Sequence, residues 1–327
     1  MRINSFIKKV GGNIMSKVLY ARQKNVREKG RFAENKYMYC LLVPAIISTI
    51  IFGYLPLMGI IMAFKDYDVI MGFGASPWVG FKNFIEIFTA PNFLRAIKNT
   101  LIYSSVCLFG QFPFPIMLAV MINEIWSTKY KKIVQTITYL PHFLSWATVV
   151  GLAYGMFALR GSVNDFLASV FGDGYERTNI LLNSKNFLGI LFFSGLWKDV
   201  GWNSVLFLAA IAGIDPTLYE AASCDGANRW KQIWKITIPS IMPTVVIVLI
   251  MNMGSLVTNN FEQVYGFQNV FTQEQTEVIG TLAYRVGIQN GSYSLATAFS
   301  CTQGIVSFAL INIANFISKK ASNISIW

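Results

Sequence analysis

The chain has 327 residues, of which 54% are hydrophobic and 13% are charged. Soluble globular proteins carry roughly 25% charged residues, so this balance excludes an ordinary water-soluble globule and points to a membrane-embedded bundle. The formal net charge is +11, yet residues 1–37 hold ten Lys and Arg against two Glu, so most of the excess is an N-terminal tail.

A basic segment ahead of a first apolar stretch reads as a cytoplasmic anchor on anionic lipid. No recognised nucleic-acid fold or aromatic-basic interleaving accompanies it, so no nucleic acid is expected as a partner. The N-terminus lacks an early apolar core with a cleavage site, and the first span is expected to act as an uncleaved anchor. Cys40, Cys107, Cys224 and Cys301 form no CxxC pair. They read as small hydrophobes, with neither disulfide nor metal expected.

A membrane helix needs about 20 mostly apolar residues. Six stretches meet this: 39–64, 101–122, 133–157, 187–212, 241–258 and 295–317. The second contains Pro113 and Pro115, which membrane helices tolerate when neighbours satisfy the freed carbonyls. With the N-terminus inside, the cytoplasmic segments carry 18 Lys and Arg and the opposite side carries 8. That bias predicts an all-α membrane protein with six transmembrane helices and both ends cytoplasmic (N-in/C-in). The expected organisation is a basic segment over 1–38, a six-helix domain over 39–317 and a cytoplasmic tail over 318–327. Long outside loops, about 65–100, 158–186 and 259–294, are expected to bind something.

The most informative polar interruption is Tyr219–Pro239, YEAASCDGANRWKQIWKITIP. It reads as a short helix, a turn and a second helix. Asp215 can cap the first helix, and Pro216 suits its first turn because its missing N–H is not needed there. Asp225-Gly226 signals a turn, since Gly takes a positive φ at no steric cost. Ala227, Trp230, Ile233, Trp234 and Ile238 then recur at helical spacing, and Pro239 is expected to end the second helix by biasing Ile238 away from helical geometry. A basic amphipathic helix lying on lipid headgroups would explain the Lys and Arg of this stretch but not its E-A-A-x-x-D-G-A order.

Glu220, Ala221, Ala222, Asp225, Gly226 and Ala227 resemble the EAA loop of binding-protein-dependent ABC importer permeases. Further marks of that family are Val79-Gly80-Phe81-Lys82-Asn83-Phe84, Tyr139-Leu140-Pro141, Gly201-Trp202-Asn203 and Tyr284-Arg285-Val286-Gly287, so the resemblance covers residues 39–317. The combination is most similar to the subfamily that imports oligosaccharides released from complex polysaccharides. One departure is the last external loop, where a Gly-Gly-Pro-like turn is expected and Phe267–Thr272 stands instead.

The resemblance implies the transmembrane domain of a type I ABC importer in a bacterial cytoplasmic membrane. It implies a second permease as heteromeric partner, two ABC ATPase subunits and an external sugar-binding protein. The loop over 215–239 would dock on the ATPase, with Glu220, Ala221, Ala222, Asp225, Gly226, Ala227, Arg229 and Pro239 as its coupling residues. Small residues there would allow close backbone approach, and Arg229 would meet the ATPase.

No P-loop is present: Gly11–Lys17 lacks the second Gly and the Ser/Thr after Lys. No cofactor is therefore expected on this chain, and ATP with Mg would sit on the partner ATPase. His142 is the only histidine, so a His-based metal cluster is not expected and a structural role is. Lys198 and Asp199 admit two readings: a pathway inside the fourth span, or an interfacial position if that span starts later. Adjacent on a helix, they are expected to be poor partners for each other.

Asn252, Asn259, Asn260, Glu262 and Gln263 carry amides and carboxylates suited to sugar hydroxyls. With Lys198 and Trp202 they form the expected substrate path, although Trp197 and Trp202 also fit interfacial aromatics. Two rival functions are an ion-gradient transporter, which would need intramembrane acids and inverted repeats, and a membrane glycosyl- or acyltransferase, which would need a nucleophile-base or carboxylate pair.

Overall fold

In the computed structural model, residues 35–258, 261–322 and 324–325 are described. Residues 1–34 of the basic tail, Asn259, Asn260, Asn323 and the final two residues lie outside them. Contacts divide the chain into residues 1–60 and residues 61–327. The described part of the first unit belongs to α1 (Lys36–Phe64), a helical run with Pro44 inside and a π-helical turn at Ile50–Tyr54.

The second unit is mostly helical. Among the described residues its extended pairing is a single antiparallel bridge, Lys65 with Trp78. A short α2 (Lys82–Thr89) precedes α3 (Pro91–Asn123). Next come α4 (Thr128–Phe143), α5 (Trp146–Phe157), α6 (Ser162–Phe171), α7 (Phe187–Ala212) and α8 (Pro216–Cys224). The chain continues as α9 (Arg229–Gly254), α10 (Phe261–Phe267), α11 (Ile279–Tyr284) and α12 (Tyr293–Ser322). Among the described residues α1, α3, α9 and α12 are long and apolar enough to cross a membrane. Two bent pairs raise the number to as many as six: Thr128–Phe143 with Trp146–Phe171, bent by 97°, and Ser184–Ala212 with Pro216–Cys224, bent by 69°.

Three buried apolar clusters follow α3 along its length. Phe93 and Ala96 pack with Leu282, Ala298 and Phe299. Cys107 packs with Leu191, Val264 and Phe267. Ala119 packs with Phe207, Ile211 and Ile241. The α7 helix joins the second and third clusters, so α3 and α7 form the spine on which the other helices lean. Gln111 of α3 locks the pair by donating from Nε2 to the Phe192 carbonyl at 2.7 Å.

Several expected spans are corrected. The fourth, 187–212, coincides with α7. The second begins ten residues earlier, because Pro91 starts a helix whose first turns are polar. The sixth extends to both sides of 295–317.

The third span is not a straight helix over 133–157. Leu144 is extended (ψ 138°) and Ser145 restarts the helix as an N-cap, accepting from the Thr148 N–H at 3.2 Å. Pro239 does not end the second loop helix. Ile238 is helical (φ −62°, ψ −47°), and a π-helical turn at Ile233–Thr237 precedes the proline. Widening the helix there relieves the clash between the proline ring and the carbonyl four residues back, so the helix that contains the expected fifth span begins at Arg229 and not at 241.

Candidate functional site

The EAA stretch is built almost wholly by local bonding. Asp215 caps α8, its Oδ1 accepting from the Thr217 N–H at 2.9 Å, and Pro216 fills the first turn. The Thr217 backbone N–H, then its side chain, holds the Asp215 carboxyl below the usual carboxylate range. At the other end Gly226 takes φ +73°. The Gly226 N–H donates to the Ser223 carbonyl at 3.1 Å and the Ala227 N–H to the Ala222 carbonyl at 2.9 Å. That pair of bonds is a Schellman termination, which needs a left-handed residue at Gly226. Asn228 then caps α9 by accepting from the Lys231 N–H at 2.9 Å.

Glu220, Ala221, Asp225 and Gly226 are exposed, while Ala222 and Ala227 are half-buried. Among the described residues no side chain partners Glu220. Arg229 is already engaged: its guanidinium pairs with Glu124 at 3.0 Å and lies 4.9 Å from the centre of the Trp126 ring. It therefore straps the α3–α4 connection to the α8–α9 loop. Beneath the strap lies an open hollow of about 580 Å³, lined by Asn123, Tyr219, Ser223, Asn228 and Gln232 among others. Ile233 and Thr237 face inward, whereas Trp230 and Trp234 are exposed.

A second cluster lies where α4 gives way to α5. His142 Nδ1 and Asp199 Oδ1 are 2.8 Å apart. The His142 ring stacks on Trp202 at 4.7 Å and 2°. Asp199, Trp202 and Asn203 share one face of α7 at i, i+3 and i+4, and Trp202 remains 46% exposed. Lys198 is buried, donating from Nζ to the His142 carbonyl at 2.8 Å.

One expectation fails here. Lys198 and Asp199 do meet, at 3.8 Å, because both turn toward the same break. The Lys198 ammonium is engaged inside the protein. The α7 helix itself starts at Phe187. Sequence reasoning gave His142 no partner; at a separation of 57 positions from Asp199, no local signal could have supplied one.

The polar group near the end of α9 splits. Asn252 is half-buried and Glu262 is exposed in the first turn of α10. Gln263 is 2% exposed, and its Nε2 donates to the Leu191 carbonyl at 2.8 Å and Ser194 Oγ at 2.9 Å. It ties α10 to α7. Asn259 and Asn260 lie outside the described residues.

The loop after α10 is a tight knuckle. Asn269 Oδ1 accepts from the Phe271 and Thr272 N–H groups at 3.0 and 3.2 Å, and its Nδ2 donates to the Leu181 carbonyl at 3.0 Å. The Asx turn replaces the missing Gly-Gly-Pro element and leaves Val270 89% and Phe271 76% exposed. Behind it, Asn99 donates to the Gln275 and Glu277 carbonyls. Buried Glu277 pairs with Arg285. Burial pushes the Glu277 carboxyl up and outweighs the lowering by Arg285.

A family described as "Binding-protein-dependent transport system inner membrane component" matches residues 111–322. The polygalacturonan/rhamnogalacturonan transport system permease protein YteP of Bacillus subtilis (strain 168) is 38% identical over 303 residues, 93% of this chain and 94% of that protein. A crystal structure of a bacterial ABC transporter involved in the import of the acidic polysaccharide alginate superposes with a TM-score of 0.81 at 38% identity, covering 90% of this chain and 99% of that one. The same kind of transporter in complex with an alginate pentasaccharide-bound periplasmic protein superposes with a TM-score of 0.80, also at 38% identity, over 90% of this chain and 98% of that one. The loop geometry, the helical spans and these likenesses agree, and the chain belongs to the inner membrane components, or permeases, of binding-protein-dependent ABC transport systems.

Proposed function

We propose that this permease carries an oligosaccharide released from an acidic polysaccharide into the cell, driven by ATP hydrolysis on separate ATPase subunits. The carrying observation is α8: exposed Glu220, Ala221, Asp225 and Gly226 sit on a capped helix that follows α7 after a 69° bend. Such a helix offers a docking face while remaining joined to a spine helix. The names of the relatives support the substrate class, since one handles polygalacturonan and rhamnogalacturonan and another alginate.

In this reading the chain makes six spans with both ends cytoplasmic, beside a second and different permease. Nucleotide-driven movement of two ATPases displaces α8 and rocks the bundle between inward-open and outward-open states. A loaded external binding protein docks on the opposite side, with the Val270–Phe271 knuckle as one contact. Trp202 supplies a platform for a sugar face, with Asp199 and Asn203 beside it and Asn252 and Glu262 as further polar contacts. Ion-gradient and membrane-enzyme rivals lose ground, because the relatives are permeases of ABC systems.

The test uses the complete transporter reconstituted in liposomes. Gly226→Val should leave saccharide binding by the external protein intact and abolish its stimulation of ATP hydrolysis. Normal stimulated hydrolysis in that variant would refute the coupling role. Screening the binding protein against neutral and uronate oligosaccharides checks the substrate class, and a preference for neutral sugars would overturn it.

A further inference from the structure

Lys198 is a charged side chain, 7% exposed, twelve residues into a helix otherwise rich in apolar residues. A charge in such surroundings is expensive and is kept where it is paired or does work. Its partners lie on both sides of the break in the third span. Before the break, Nζ donates to the His142 carbonyl at 2.8 Å. After the break, it lies 5.4 Å from the centre of the Trp146 ring, within range of a cation–π attraction.

The carbonyl contact has a definite cause. In a continuing α-helix the His142 carbonyl would accept from the N–H of residue 146. The chain is extended at Leu144 and the next helix starts at Trp146, so that donor is withdrawn. Lys198 replaces it, and its positive charge also suits the carboxyl-terminal end of α4. Asp199 strengthens the same contact through His142 Nδ1. One turn away, a Cβ built on Gly201 would stand 2.0 Å from the Thr138 carbonyl oxygen, so α7 and α4 touch backbone to backbone.

We infer that Lys198 is a positioning residue for coupled transport: one ammonium grips both flanks of the 97° break and fastens it to α7, the helix that leads into α8. Movement imposed on α8 would then carry the break, with His142, Phe143 and Trp146, as part of one body. The inference rests on the coupling role proposed above. It goes further by assigning the joint through which that role reaches the third span.

The experiment is reconstitution of the complete transporter, with its ATPases, second permease and binding protein, comparing wild type, Lys198→Met and Lys198→Arg. The readout is saccharide imported per ATP hydrolysed. ATP-driven import by the wild-type complex establishes the underlying reading, and only the variants test the joint. Lys198→Met is expected to assemble, keep basal hydrolysis within about twofold and lose import per ATP by tenfold or more. Lys198→Arg, which still donates to a carbonyl, is expected to recover to within about threefold of wild type.

An unchanged ratio in assembled Lys198→Met, or no recovery with Lys198→Arg, overturns the inference. Should Lys198→Met fail to assemble, hydrogen exchange of the wild-type complex decides. Residues 139–146 and 195–202 are expected to change protection together when nucleotide is added, and independent changes overturn the joint.

Discussion

The proposed coupling loop and the break in the third span are held in opposite ways. Residues 215–239 are largely exposed and hold their shape mostly with bonds among near neighbours: Asp215 to Thr217, Gly226 to Ser223, Asn228 to Lys231. Residues 139–146 are a discontinuity where α4 gives way to α5, held by groups more than 50 residues away: Lys198 on the His142 carbonyl and Asp199 on its ring. A surface offered to a partner must be shaped before the partner arrives, which favours local caps. A broken helix leaves backbone groups without their helical partners, and here the replacement donor is brought from another element.

Substitutions should separate these two kinds of support. The largest effect is expected at Gly201. With the Thr138 carbonyl where a Cβ would go, Gly201→Leu should lower stability by about 3 kcal/mol or more by forcing α7 away from α4. Thermal unfolding of purified protein reads this; an unchanged midpoint would mean that the two helices are not in backbone contact.

At Gly226 nothing lies within 4 Å of a built Cβ, so Gly226→Ala meets only the positive-φ penalty of about 1–2 kcal/mol. The local end of the comparison therefore predicts a smaller loss of stability at Gly226 than at Gly201. Smaller still is the strap. The Arg229–Glu124 pair is substantially exposed, and Arg229→Ala should change stability by about 0.5 kcal/mol. A loss of several kcal/mol in the same melts would show that the coupling loop depends on distant contacts after all.

The external loop offers a pH test of the same contrast. Burial raises the Glu277 carboxyl above its ordinary 4.5, so the native loop holds a proton that the unfolded chain has already released. Between the ordinary value and the raised one, the folded state binds more protons and stability falls as pH rises. Hydrogen exchange of residues 273–285 should therefore speed up across that window, beyond the intrinsic increase for unfolded peptide. Glu277→Gln should flatten the extra dependence, and an identical slope in the variant would assign it to another group.

Legibility followed the same divide. The Asp215 cap, the Pro216 first turn and the Asp225-Gly226 turn are short-range signals, and all three stand in the fold. The bounds of α7 were equally readable, because 26 residues of nearly continuous apolar sequence leave little choice. Hydropathy carried the third span straight through Leu144, although Pro141 followed by the Ser145–Thr148 capping pair was a local warning. Pro239 misled in the other direction. A proline is compatible with a continuous helix when the turn before it widens, and no residue preference announces that widening.

The π-helical turn has one more effect. It makes Arg229–Gly254 a single rod of 26 residues, about 39 Å long at 1.5 Å per residue. The proposed coupling helix is thus followed by a long helix with Pro243 inside it and preceded by a bend at Gly213–Asp215, with Gly226 at the turn between α8 and α9. In mechanical terms the proposed coupling loop would be a crank: a push on α8 would turn about two short joints and pass into the helices on either side.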